Sequence, residues 1–141
     1  MKRLTILGST GSIGCSTLDL VSRAPESFAV EALVAGRNAV KLAEQARQFR
    51  AKVAVIADDR EYRSLKAALA GTGIEVAAGR TAVIEAAERP SEWVMAAVVG
   101  AAGLAPTLSA IRRGAVIALA NKEVLVCAGS LVIAEARRHG A

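Results

Sequence analysis

The chain has 141 residues, 53% of them hydrophobic and only 3% aromatic, enough for one domain with a core of Ala, Val, Leu and Ile. Lys and Arg number 18 against 13 acidic residues, a net charge of +5, and no apolar run reaches the roughly 20 residues of a membrane span. The basic balance suits a partner carrying phosphate. Nucleic acid is argued against, because cations such as Lys41, Arg47, Arg63, Arg112 and Arg137 are scattered over several predicted helices without interleaved aromatics.

Arg3-Leu4-Thr5-Ile6-Leu7 reads as a first strand, entered directly from Met1-Lys2, so no signal peptide is expected. Gly8-Ser9-Thr10-Gly11-Ser12-Ile13-Gly14 follows, then a helix over 13–24 that stops before Pro25. A second strand is predicted over 28–35 and a helix over 39–51, with Val40, Leu42, Ala43, Ala46 and Phe49 on one side and Lys41, Glu44, Gln45 and Arg47 largely on the other. A buried strand over 53–57 precedes Asp58-Asp59, which reads as the cap of a helix over 60–70. A strand over 74–77, a helix to Glu88, a strand over 93–99, a helix over 104–113 and a strand over 115–120 complete the alternation. The remainder is helical, broken near Gly129 and closing at Gly140-Ala141.

Strands that are nearly continuous apolar runs and alternate with helices call for a parallel sheet. The expected fold is α/β, a doubly wound, three-layer αβα, Rossmann-like dinucleotide-binding domain over residues 1–141. The glycine loop lies where that fold binds a diphosphate, with bare backbone N–H groups and a helix N-terminus facing the anion. Its spacing departs from G-x-G-x-x-G, because the first glycine stands at 8 rather than 9, which predicts a wider turn with the Thr10 and Ser12 hydroxyls beside the amides.

The ribose-binding acid of an NAD site is expected about 20 residues beyond the glycines. That place holds Gly36, Arg37 and Asn38, with Gly36 at 36 − 14 = 22 residues past Gly14, and Glu31 falls too early, inside the strand. A cation and an amide there suit a 2′-phosphate, so NADP(H) is preferred over NAD(H). Gly100-Ala101-Ala102-Gly103 and Asn121-Lys122-Glu123 follow strands at the same end of the sheet. The small residues would let a ring or ribose approach, or simply pack a helix on a strand. Lys122 could meet a phosphorylated or carbonyl substrate and Asn121 and Glu123 the cofactor, while a helix N-terminal turn explains the same residues. Cys15 and Cys127 lack metal or disulfide spacing and read as small buried hydrophobes of a reducing cytoplasm, with a reactive thiol at Cys15 as the alternative. His139, the single histidine, reads as exposed.

Taken together, Gly8–Gly14, Ala35-Gly36-Arg37-Asn38, Val99–Leu104 and Ala118–Glu123 resemble the N-terminal domain of the 1-deoxy-D-xylulose-5-phosphate reductoisomerases, over essentially the whole chain. The resemblance implies a cytoplasmic or plastid, homodimeric oxidoreductase of non-mevalonate isoprene biosynthesis. It would rearrange 1-deoxy-D-xylulose 5-phosphate and reduce the aldehyde with NADPH to 2-C-methyl-D-erythritol 4-phosphate, using Mg²⁺, Mn²⁺ or Co²⁺. It also implies that Thr10, Gly11, Ser12 and Ile13 bind the diphosphate region, Gly36, Arg37 and Asn38 the 2′-phosphate, Asn121 and Glu123 the cofactor and Lys122 the sugar phosphate. The metal-binding acidic motif and later domains of the family would lie beyond Ala141, so this chain is expected to bind NADPH without metal and without turnover. A non-catalytic NADP(H)-binding regulatory or redox-sensing module is the alternative.

Overall fold

The computed structural model describes residues 1–98, 101–120 and 122–141, and within its helices it leaves out the side chains at 101, 122–125 and 127. The elements run β1 (Lys2–Leu7), α1 (Ser12–Arg23), β2 (Phe28–Ala35), α2 (Ala39–Phe49), β3 (Val53–Ile56), α3 (Tyr62–Ala68), β4 (Glu75–Ala78), α4 (Arg80–Glu88), β5 (Trp93–Ala96), α5 (Leu104–Arg112), β6 (Val116–Leu119) and α6 (Lys122–His139). Short 3-10 turns over Asp59–Glu61 and Ala101–Gly103 lead into α3 and α5. The predicted helix over 60–70 is thus split: Asp58 caps the 3-10 turn by accepting from the Arg60 N–H, and the α-helix starts only at Tyr62.

All strand pairs are parallel, in the order β4-β3-β2-β1-β5-β6. The chain steps outward from β1 to β4, and α4 then carries it back across β3, β2 and β1 to start β5 on the other side. The reversal leaves a switch point between β1 and β5, where the crevice of a doubly wound sheet opens. Side chains alternate along each strand. Leu4, Ile6, Leu33, Ala54 and Ile56 pack with Leu18 of α1, Leu42 and Ala46 of α2 and Leu65 of α3. Leu7, Ala32, Val34, Val55 and Val94 pack on the opposite face with Ala86 and Ala87 of α4 and Ala110 of α5. Leu108, Ile111 and Val132 extend that second face under α6. The predicted break in the last helix falls at Ala128, whose φ of −144° and ψ of 25° are not helical.

The register of β1 on β2 slips once. Leu4 faces Val30 but Thr5 faces Ala32, so Glu31 is an extra residue in a bulge that resets the alternation. Its side chain is 2% exposed, with Oε2 2.9 Å from Arg89 Nε and Oε1 3.7 Å from Lys52 Nζ. The one acid of β2 is therefore engaged inside the sheet, tied to the residue that ends α4.

A buried carboxylate that loses its close partner keeps its desolvation cost. Arg89→Ala is expected to lower the unfolding free energy by about 2–4 kcal/mol, whereas Lys52→Ala, which removes an exposed and longer contact, costs less than about 1 kcal/mol. Urea denaturation of both variants at neutral pH checks the difference.

Candidate functional site

At the C-terminal end of β1 the chain turns through Gly8, whose φ is +91°. The N–H groups of Gly8 and Ser9 both donate to the Val34 carbonyl, at 2.8 and 2.9 Å, and Ala97 N–H donates to Leu7 at 2.8 Å. The loop is therefore stitched to both neighbours of β1. A Cβ on Gly8 would lie 2.6 Å from the Ala97 oxygen, and one on Gly14 would lie 2.2 Å from the Gly8 oxygen. Both glycines let backbone rest on backbone, which brings the first turn of α1 down onto the loop.

Gly11 and Gly36 answer to a different need. A Cβ at Gly11 would touch only the Gly8 oxygen at 3.7 Å, and one at Gly36 would have no heavy atom within 4 Å. Gly11 has φ −76° and ψ 175°, an extended backbone open to any residue. Nothing in the fold requires glycine at either place, yet both line one cleft of about 810 Å³. That volume suits a small organic ligand. The cleft's other walls come from the ends of β2, β3 and β5, from Val83 and Ile84 of α4, and from Leu104, Pro106 and Leu108 of α5, and they are mostly aliphatic.

Over this cleft stands the N-terminus of α1. Gly11 occupies its N-cap without a side chain to cap it, and the first turn holds no acid. The first intrahelical bond runs from Cys15 N–H to Gly11, at 2.9 Å. The N–H groups at Ser12 and Ile13 thus lack an intrahelical acceptor, on exposed residues beside half-buried Thr10. Such a terminus accepts an anion.

Beyond β2, Gly36, Arg37 and Asn38 are all exposed. Asn38 caps α2, its Oδ1 accepting from Lys41 N–H at 3.1 Å, which leaves the amide NH₂ as a donor at the cleft rim. Across the rim, Arg60 grips Asp58 through both guanidinium edges, Nε to Oδ1 at 3.0 Å and Nη2 to Oδ2 at 2.9 Å. The Arg60 side-chain hydrogen bonds, then its backbone N–H, hold the Asp58 carboxyl below the usual carboxylate range, with a smaller pull from Arg37. The pair is formed above that range and is lost as pH falls through the lowered value.

The structure brings Thr10, Gly11, Ser12, Ile13, Gly36, Arg37 and Asn38 to the C-terminal end of β1 and β2, and of these Gly11 and Gly36 line the cleft. Asn121 lies outside the described residues, as do the side chains of Lys122 and Glu123, whose backbone opens α6. Of the Gly100–Gly103 loop, Ala102 lines the cleft. Cys15 is half-buried rather than buried, its Sγ 3.6 Å from the Thr10 oxygen; Cys127 is outside the described side chains. His139 is exposed and meets Glu135 at 3.1 Å.

Two placements correct the helical reading of α2. Val40 does not share the inner side with Leu42, Ala43 and Ala46: it is 71% exposed, and Ala39 takes the buried place in that first turn. Gln45 is not on the solvent side of α2: it is 8% exposed, and its Nε2 donates to the Ser9 oxygen at 2.9 Å. It stands three residues after Leu42 and four before Phe49, a helical spacing that marks the inner stripe. Its polarity outweighed that spacing in the sequence reading. Arg80, at the start of α4, is a cleft residue that sequence reasoning did not find.

A crevice of this kind at this switch point defines a doubly wound, Rossmann-like dinucleotide-binding domain. The family model of 1-deoxy-D-xylulose 5-phosphate reductoisomerase matches residues 4–129, and the chain belongs to that family. It is 61% identical, over its full length, to 35% of the 1-deoxy-D-xylulose 5-phosphate reductoisomerase of Rhodospirillum centenum. It superposes with a TM-score of 0.97 and 53% identity on the Zymomonas mobilis reductoisomerase solved in complex with NADPH, covering 99% of this chain and 37% of that one. A reductoisomerase solved with NADPH, fosmidomycin and magnesium gives 0.95 and 40% identity, over 100% of this chain and 35% of that one. The chain spans about a third of the length of these relatives.

The two kinds of glycine separate in a stability measurement. Gly14→Ala forces a methyl into backbone and should cost at least about 2 kcal/mol. Gly11→Ala should be neutral or stabilising by about 0.4–1 kcal/mol, because it only restricts the unfolded chain. Thermal unfolding of the two variants checks the split.

Proposed function

We propose that this chain is the NADPH-binding platform of a reductoisomerase that converts 1-deoxy-D-xylulose 5-phosphate to 2-C-methyl-D-erythritol 4-phosphate. The observation that carries the reading is the pair Gly11 and Gly36, bare toward the cleft with no packing reason to be glycine. In this reading the free N–H groups at Ser12 and Ile13 hold the diphosphate, with Thr10 beside them. Arg37 and the Asn38 amide hold the 2′-phosphate, and the aliphatic walls keep water from the rings. The 53% identical Zymomonas mobilis relative, solved in complex with NADPH, supports the same cofactor. NADPH, once bound, supplies a hydride; the chain's part is to bind, orient and desolvate.

Asn121 and Glu123 as cofactor contacts and Lys122 as the sugar-phosphate contact belong to this proposal through the family. Among the described residues no group of three His, Cys, Asp or Glu side chains could hold a metal ion, so no step here is routed through one. Reductoisomerase structures of which this chain covers 35–36% were solved with magnesium. Turnover, the divalent cation and homodimer formation are assigned to a full-length enzyme of the cytoplasm, with residues 1–141 as its cofactor domain. Among the described residues no helix is long and apolar enough to cross a membrane.

Calorimetric titration with NADPH and with NADH tests the reading. The chain should prefer NADPH. Arg37→Ala should weaken NADPH about ten- to hundredfold, the value of lost hydrogen bonds to a charged group, and leave NADH unchanged. Equal affinity for both cofactors in the parent chain would sink the 2′-phosphate assignment, and binding of neither would sink the platform.

A further inference from the structure

Among the described residues, Arg80 is the one charged residue lining the cleft. It opens α4, where the helix dipole disfavours a cation, and the first turn of α4 carries no acid to offset it. Among the described residues it has no ion pair. Fold stability therefore gives no reason for arginine at this position, and its side chain is exposed.

Its position says which part of a ligand it meets. Gly79 N–H donates to the Ile56 oxygen at 3.0 Å, extending the β3–β4 pairing by one residue, so α4 starts at the end of the edge strand β4. That end is three strands from the loop after β1, roughly 14 Å at the usual strand spacing, and two strands beyond Gly36 and Arg37. From there α4 runs back over β3 and β2, and Arg80, Val83 and Ile84 all line the cleft. A dinucleotide whose diphosphate lies on the α1 terminus and whose 2′-phosphate lies at Arg37 directs its base toward this side of the cleft.

The surroundings suit a base and not a phosphate. Ala57, Val83 and Ile84 line the cleft with Arg80 and offer a flat aliphatic wall. The Asp59 carboxylate lies against Gly79, its Oδ1 2.9 Å from where a Cβ would stand. An acid beside the site repels a phosphate and can accept from an exocyclic amine. Arg37, by contrast, is not among the cleft-lining residues and stands at the rim.

We propose that Arg80 covers the adenine ring of the bound cofactor, its planar guanidinium stacked on the base against the Val83–Ile84 wall. It then adds affinity to every adenine dinucleotide alike, while Arg37 alone reads the 2′-phosphate. The proposal rests on the reading of the cleft as a dinucleotide site.

The test is titration of the 141-residue chain and of Arg80→Ala with NADPH, NADH and reduced nicotinamide mononucleotide, which lacks the adenosine. Arg80→Ala should weaken NADPH and NADH by the same factor, about three- to thirtyfold for a cation–π stack, and leave the mononucleotide unchanged. Arg80→Tyr should recover part of the loss, because an aromatic ring also stacks on a base. A loss for NADPH alone would make Arg80 a phosphate contact and overturn the proposal; so would no loss at all. Both outcomes leave the dinucleotide reading standing. Failure of the unaltered chain to bind NADPH and NADH would bring down both.

Discussion

Backbone resting on backbone at the β1–α1 corner is the constraint from which the rest of the site follows. Gly14 lets the first turn of α1 sit against the Gly8 and Ser9 main chain, where a Cβ would come within 2.2 Å of an oxygen. Gly8 lets the same loop sit against the end of β5, where a Cβ would come within 2.6 Å of Ala97. With the loop so tightly held, the uncapped N–H groups of α1 project over the switch point rather than away from it. On the proposed reading, the diphosphate position is set before any ligand arrives, which lowers the ordering cost of binding.

Much of this was legible in the chain itself. Continuous apolar strands alternating with helices prescribed a parallel sheet, and the loop's place after the first strand put it at the mouth of the crevice. The offset from Gly14 to Gly36 located the end of β2. What was not legible are relations between distant residues. Gln45 looks like one more polar residue of an amphipathic helix until its contact with Ser9 is seen, 36 positions away. Arg80 looks like a solvated cation until α4 is seen to cross back over β3 and β2. The bulge at Glu31 leaves no local signature at all, because a shifted register is a property of two strands and the sequence shows one at a time.

The charge pattern follows from the same geometry. A net charge of +5 could be read as a basic surface, yet many of the cations are tied up locally. Arg89 is engaged by Glu31 and Glu75, Arg60 by Asp58, and Arg113 by the Ser91 and Ala87 carbonyls. Arg37 and Arg80 have no ion pair among the described residues, and both stand at the cleft end of the sheet. Lys41, Arg50 and Arg63 also lack an ion pair among the described residues, so what sets Arg37 and Arg80 apart is their place at the cleft end of the sheet and not their being unpaired.

One helix joins the two places proposed to bind phosphate. Asn38 caps α2 beside Arg37, and Gln45, seven residues further on, reaches the carbonyl of Ser9. At 1.5 Å per residue that is about 10 Å of rigid rod between the Arg37–Asn38 rim and the glycine loop after β1. The rod is clamped along Leu42, Ala43 and Ala46, all nearly fully buried. The separation of the two anion sites is thus a property of the core, not of two independent loops. A change that tilts α2 moves both places together, so on the proposed reading selectivity for the phosphorylated cofactor is built on the packing of a helix face that never touches it.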